Sequence, residues 1–192
     1  MRASRLAVAT IAAFSAALSG SSSYAGDEFS ARLSGFEEVG GALPTATSPG
    51  LTGAILSQGT GKLRLDLDRE FATYKLTYSG LGSAVTQAHI HFGKRHVPGC
   101  VSVFLCTNLG NGPAGTPACP NPTPGGPVTL SVSGTLTAAS VIGPLPQNVH
   151  PGNFAEFANI VKSNTAYANI HTTQFPAGEI RGQVRDDEHD DD

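Results

Sequence analysis

Charged side chains are scarce in this chain and no run of lysine and arginine stands out: 12 basic against 15 acidic residues leave a net charge of −3 over 192 residues, and only 14% of them are charged. With no basic cluster in the sequence to neutralise a phosphate backbone, nucleic acid is not an expected partner. The signatures of common enzymes are missing as well. There is no nucleophile elbow, dinucleotide fingerprint, His-Glu-x-x-His helix or Cys-x-x-Cys pair, and the nearest glycine pattern, Gly59-Thr60-Gly61-Lys62, falls far short of a phosphate loop. Asp66 and Asp68 share the polar side of one strand with Lys62 and Arg64, where solvation explains them and a glycosidase-type acid pair does not. No serine is adjacent to a histidine, so a hydrolase would need a triad assembled entirely by folding. Enzyme is the less favoured class.

No apolar run reaches the roughly 20 residues that span a hydrocarbon core. The longest, residues 6–18, follows Arg2 and Arg5 and precedes Ser23-Tyr24-Ala25. Basic start, short apolar stretch and small residues at the cleavage positions predict a signal peptide over 1–25, with Gly26 as the mature N-terminus. The expected location is therefore secreted or periplasmic, without stable membrane insertion after cleavage. In an oxidising compartment the three cysteines should not all stay reduced. Cys106 with Cys119 is the expected disulfide, closing a loop of about 13 residues for roughly 3 kcal/mol in the chain-entropy model. Cys100 with Cys119 is the rival pairing. Cys100 with Cys106 is disfavoured because the residues between them read as one extended strand, and the unpaired Cys100 is left buried or available to a second chain.

Glycine (23) and proline (13) are plentiful, which favours short strands and tight turns. Lys62-Leu63-Arg64-Leu65-Asp66-Leu67-Asp68 alternates strictly, and after a short break Ala72, Tyr74, Leu76 and Tyr78 alternate with Thr73, Lys75 and Thr77. These two runs predict an antiparallel hairpin with one buried face. Further strands are expected over 29–35, 85–92, 101–105, 128–136, 167–172 and 179–185, with long loops at 37–53 and 107–127. One helix is expected over 152–164, capped by Asn153 and burying Phe154, Phe157, Ile160 and Val161, with a shorter helical turn from Thr137. Residues 186–192 are acidic, lack apolar side chains and read as a disordered tail. The fold class is all-β: an antiparallel sandwich or flattened barrel with one short covering helix.

Phe175-Pro176-Ala177-Gly178 has proline and glycine where a type I turn prefers them, so it joins strands 167–172 and 179–185 into a second hairpin. Parity then puts Ala168, Ile170, Ile180 and Val184 on one face and Asn169, His171, Glu179, Arg181 and Gln183 on the other. Gly182, among the inward positions, predicts a close approach by a neighbouring strand. The segments Ala88-His89-Ile90-His91-Phe92-Gly93, Gly134-Thr135-Leu136-Thr137, Tyr167-Ala168-Asn169-Ile170-His171-Thr172 and Phe175 through Gln183, opened by Leu33-Ser34-Gly35-Phe36-Glu37-Glu38-Val39, resemble the CHRD family, the module named after chordin, over roughly residues 29–184, within a domain of 27–185. The resemblance implies an extracellular β-sandwich-like module with no established catalytic activity, whose partner is an extracellular ligand or matrix component. The cysteine-bearing loop after Leu105 departs from many bacterial relatives.

Ala88-His89-Ile90-His91 and Ala168-Asn169-Ile170-His171 echo one another: an isoleucine in the core, histidines on the opposite face. Two readings follow. In one, these rings only hydrogen-bond to backbone and to Asn169, Gln183 or Glu179. In the other, His89, His91 and His171 form a copper or zinc site with Glu179 as the nearest fourth partner, an arrangement of the general kind found in the copper–zinc superoxide dismutase sandwich. The candidate ligand-binding surface is accordingly His89, His91, Asn169, His171, Glu179 and Arg181, and adjacency of strands 85–92 and 167–172 is the condition on which it stands. His96, His150 and His189 are expected to be solvated.

Overall fold

The computed structural model describes residues 26–39, 53–121 and 128–187. The expected signal peptide, most of the 37–53 loop and residues 188–192 of the expected tail lie outside the described residues. Nine strands are present among those described: β1 (Asp27–Ser34), β2 (Thr60–Leu67), β3 (Ala72–Ser79), β4 (Val85–Phe92), β5 (Cys100–Thr107), β6 (Thr129–Leu136), β7 (Ala166–Thr172), β8 (Ile180–Gln183) and β9 (Arg185–Asp186). They form one antiparallel sheet in the order β5-β4-β7-β8-β1-β2-β3-β6, with β9 against β1. The sheet curls until β5 and β6 nearly meet. Val103 of β5 bridges Val141 just past β6, the Ile142 amide donates to the Ser102 carbonyl at 3.0 Å, and Tyr74 of β3 donates across the gap to the Leu105 carbonyl. The result is a nearly closed barrel.

Alternation explains how the core fills. Leu63, Leu65 and Leu67 face Ala72, Tyr74 and Leu76 across the β2–β3 ladder, and all six are buried; a fully buried leucine contributes roughly 1.5–3 kcal/mol. Between them Lys62, Arg64 and Asp66 point outward. Ala88, Ile90, Ala168, Ile170, Ile180 and Val184 join the same core from the other half of the barrel. The helix α1 (Phe154–Lys162) starts at Asn153, whose side chain accepts from the Glu156 amide, and buries Phe154, Phe157, Ile160 and Val161. A 3-10 turn at Ala138–Ser140 follows Thr137.

The expected strand 179–185 is broken in two. It pairs with β7 as far as Gln183 and then passes to β1, where Arg185 lies opposite Ser30. Gly182 sits at this change of partner, where a Cβ would fall 2.2 Å from the Arg32 carbonyl oxygen. That is the close approach read from the sequence. Cys106 and Cys119 are bonded, tying β5 to the loop beyond it, and Cys100 is an exposed free thiol, which removes its buried alternative.

Candidate metal centre

β4 and β7 are neighbours, and their register sets His89 opposite Asn169, His91 opposite Tyr167 and Gln87 opposite His171. With Ala88 and Ile90 committed to the core, His89 and His91 must leave the barrel on its outer side, together with Asn169 and His171. They are nonetheless buried: His89, His91 and His171 are 3%, 8% and 7% exposed. One ring nitrogen from each lies within 4.8 Å of the others.

Hydrogen bonding assigns the protons. His91 Nδ1 is 3.0 Å from the Gly99 carbonyl and His171 Nδ1 is 3.0 Å from the Pro176 carbonyl. A carbonyl only accepts, so each Nδ1 carries the hydrogen and each Nε2 presents a lone pair. His171 Nε2 faces His89 Nδ1 at 3.2 Å, while His91 Nε2 and His89 Nε2 are buried with no hydrogen-bond partner. All three rings are held neutral. Burial first, then His171 and His91, pushes His89 down to about 2. Burial pushes His91 down to about 4, against the opposing Gly99 carbonyl. Burial also lowers His171, the Pro176 carbonyl opposing it. Neutral imidazole is the metal-binding form.

Aromatic rings enclose the group. Phe104 meets His89 edge to face at 4.4 Å between centroids, and Tyr167 stacks on His91 at 4.7 Å. On the Tyr167 ring lies the Arg181 guanidinium, 3.4 Å from its centroid. Residues 93–99 close the outside. The loop is pinned by Arg181, which donates from Nη2 to the Lys94 and Val97 carbonyls, and by Gln183, which donates to the Gly93 carbonyl. It approaches β4 so closely that a Cβ on Gly99 would meet the Phe92 carbonyl oxygen at 1.9 Å.

The remaining expected site residues stand elsewhere. Glu179 is fully buried and is not the histidines' fourth partner: its carboxylate accepts from Ser57 Oγ and the Gly82 amide on one oxygen and from Thr172 Oγ1 on the other. Glu179 lies just before β8, beside Gly178 whose φ of 131° is open chiefly to glycine, and its carboxylate turns toward Thr172. Arg181 and Asn169 are 2% and 3% exposed and are spent on the protein itself, Asn169 donating to the Glu38 carboxylate. Neither is placed to meet an outside ligand. His96 pairs with Glu37 and His150 with Glu156, both at the surface, and His189 lies outside the described residues. The anchoring carbonyls of Gly99 and Pro176 had no sequence signal. Tyr167 did, because it shares parity with Asn169 and His171.

The arrangement suits a transition metal. Two nitrogen ligands at 2.0–2.1 Å from a tetrahedral ion stand about 3.4 Å apart, close to the 3.2 Å between His89 Nδ1 and His171 Nε2. Carbonyls gripping the far nitrogens of His91 and His171 orient those two rings as ligating histidines require. Among the described residues no carboxylate or thiolate joins the group, which leaves a fourth position open.

In comparison with known proteins, the CHRD domain model matches residues 29–184. No curated protein and no solved structure matches significantly.

Proposed function

The chain belongs to the CHRD domain family, and from that premise we propose that it is an exported, non-catalytic binding module that holds a copper or zinc ion through His89, His91 and His171. Family membership suggests an interaction module without naming what it binds. The observation that supports the metal is the buried convergence of three neutral rings whose distal nitrogens are already engaged or enclosed. A purely hydrogen-bonded cluster uses the His89–His171 contact but leaves His91 Nε2 unpaired in the interior, a group that costs about 1–3 kcal/mol and that an ion beside His89 Nδ1 and His171 Nε2 would engage. Export is supported by the leader-like residues 1–25 and by the Cys106–Cys119 bond; no described helix is long and apolar enough to cross a membrane.

The test is metal content of the exported protein by mass spectrometry, with a titration of the demetallated protein by copper and by zinc. The expected result is close to one ion per chain, lost in His91→Ala with the circular-dichroism spectrum unchanged. Equal uptake by the variant, or none by the parent, leaves only the hydrogen-bonded cluster.

A further inference from the structure

A second surface lies on the far side of β8 from the histidines, and strand register builds it. On β1 the outward residues are Ser30 and Arg32, opposite Arg64 and Lys62 of β2. Arg64 and Lys62 in turn lie opposite Lys75 and Thr77 of β3, and Arg185 of β9 lies opposite Ser30. Two rows therefore cross the outside of the barrel: Arg185, Ser30, Arg64 and Lys75 in one, Arg32, Lys62 and Thr77 in the next. Neighbouring strands are about 4.8 Å apart and the rows about 7 Å apart. Five cations thus occupy one patch, with Arg95 at its margin beside Arg32 and Arg185. Arg95 is engaged with Glu37. Among the described residues Arg32, Lys62, Arg64, Lys75 and Arg185 have no ion-pair partner, and Arg32, Arg64, Lys75 and Arg185 are exposed. The next row toward the start of β1 is acidic, Glu28 opposite Asp66, so the positive patch has a sharp border. Two shallow depressions open on it, of about 260 Å³ among Ser30, Ala31, Arg32, Glu37, Arg95, Gln183 and Arg185, where Glu37 is taken up by Arg95, and about 340 Å³ among Lys62, Arg64, Lys75 and Thr77.

Unpaired like charges this close repel one another, and the chain as a whole is net negative. An anionic partner is what offsets that cost. We propose that the outer face of β9-β1-β2-β3 binds an acidic polysaccharide, its sulfate or carboxylate groups meeting Arg32, Lys62, Arg64, Lys75 and Arg185. The chemistry favours a polysaccharide over a nucleic acid or a membrane. The face is an even sheet surface, with no helix or β-ribbon projecting from it to enter a groove. It has no outward aromatic side chain on which bases stack and no apolar side chain to enter a bilayer; its neutral position is the half-buried hydroxyl of Thr77, which suits a sugar hydroxyl.

The full exported chain is titrated with dextran sulfate, with alginate as the carboxylate form and with uncharged dextran, by interferometry at 50 and 300 mM salt. Dextran sulfate or alginate should bind, more weakly at high salt, and dextran should not. The double variant Arg64→Glu/Lys75→Glu should lose at least tenfold in affinity with its urea midpoint unchanged, whereas Lys162→Gln on the helix should bind as the parent does. Duplex DNA or phosphatidylserine vesicles bound more tightly than either polysaccharide at equal salt would overturn the choice of partner. No binding to any polyanion, or an equal loss in Lys162→Gln, would overturn the face. Metal content enters neither readout.

Discussion

Two buried polar groups near β4, β7 and β8, Glu179 and the three histidines, look alike by exposure and differ in what their atoms do. Toward the turn, Glu179 receives three hydrogen bonds, from Ser57, Gly82 and Thr172, and so fastens two loops and a strand to one carboxylate. Around His89, His91 and His171 the atoms point at one another: His91 and His171 send protons outward to Gly99 and Pro176 and turn their lone pairs inward, and His89 donates to His171. Depth alone does not mark a binding site. What separates the regions is whether polar atoms are used up by the protein: the Glu179 carboxylate is, and His89 Nε2 and His91 Nε2 are not.

The comparison can be tested by breaking each side. Glu179→Ala leaves three donors without their acceptor, each worth about 1–3 kcal/mol when buried, so a loss of about 4 kcal/mol is expected in urea unfolding. A loss under about 1 kcal/mol would show that water takes over those donors and that the region is not closed.

Acid should act on the other side. Because His89 and His91 titrate in the folded state near 2 and 4 but near 6.5 when unfolded, the unfolded chain binds more protons below pH 6.5. Stability of the demetallated protein is therefore complete above about pH 6.5 and falls as the pH drops from there toward about 4. Urea midpoints taken across pH 4–8 check this, and a flat profile would mean the rings are solvated. His91→Ala should flatten that profile in part while costing the metal-free protein only about 1 kcal/mol at pH 7.5, since one unpaired buried nitrogen disappears with the ring. The smallest effect is expected outside both regions, where Lys75→Ala, exposed on β3, should shift stability by less than about 0.5 kcal/mol.

Much of this was readable from alternation. The β2–β3 hairpin, the Asn153 cap, the helix face and the joint parity of His89 and His91 all follow from local period and capping chemistry, and the structure has each of them. Contact between His89 and His171 depends on pairing of strands 82 residues apart in sequence, which no local period encodes. Glu179 was misplaced for a local reason, because parity counting holds only within a strand and β8 begins at Ile180, one residue after it. The basic face was hidden differently. Arg32, Lys62, Arg64, Lys75 and Arg185 are scattered over four strands, so a scan for a basic run finds none, and the cluster arises only when register stacks them.

The seam between β5 and β6 bears on where this chain can be handled. Among the described residues a single bridge at Val103 and Val141, the Ile142 amide on the Ser102 carbonyl and a few side-chain contacts shut it, and the Cys106–Cys119 bond lies beside it on β5. Were that bond absent, the outer rims of β5 and β6 would present unpaired amides and carbonyls, a template on which a second molecule can add strands. Production in a reducing cytoplasm should therefore yield aggregates, and production with oxidative export a monodisperse protein.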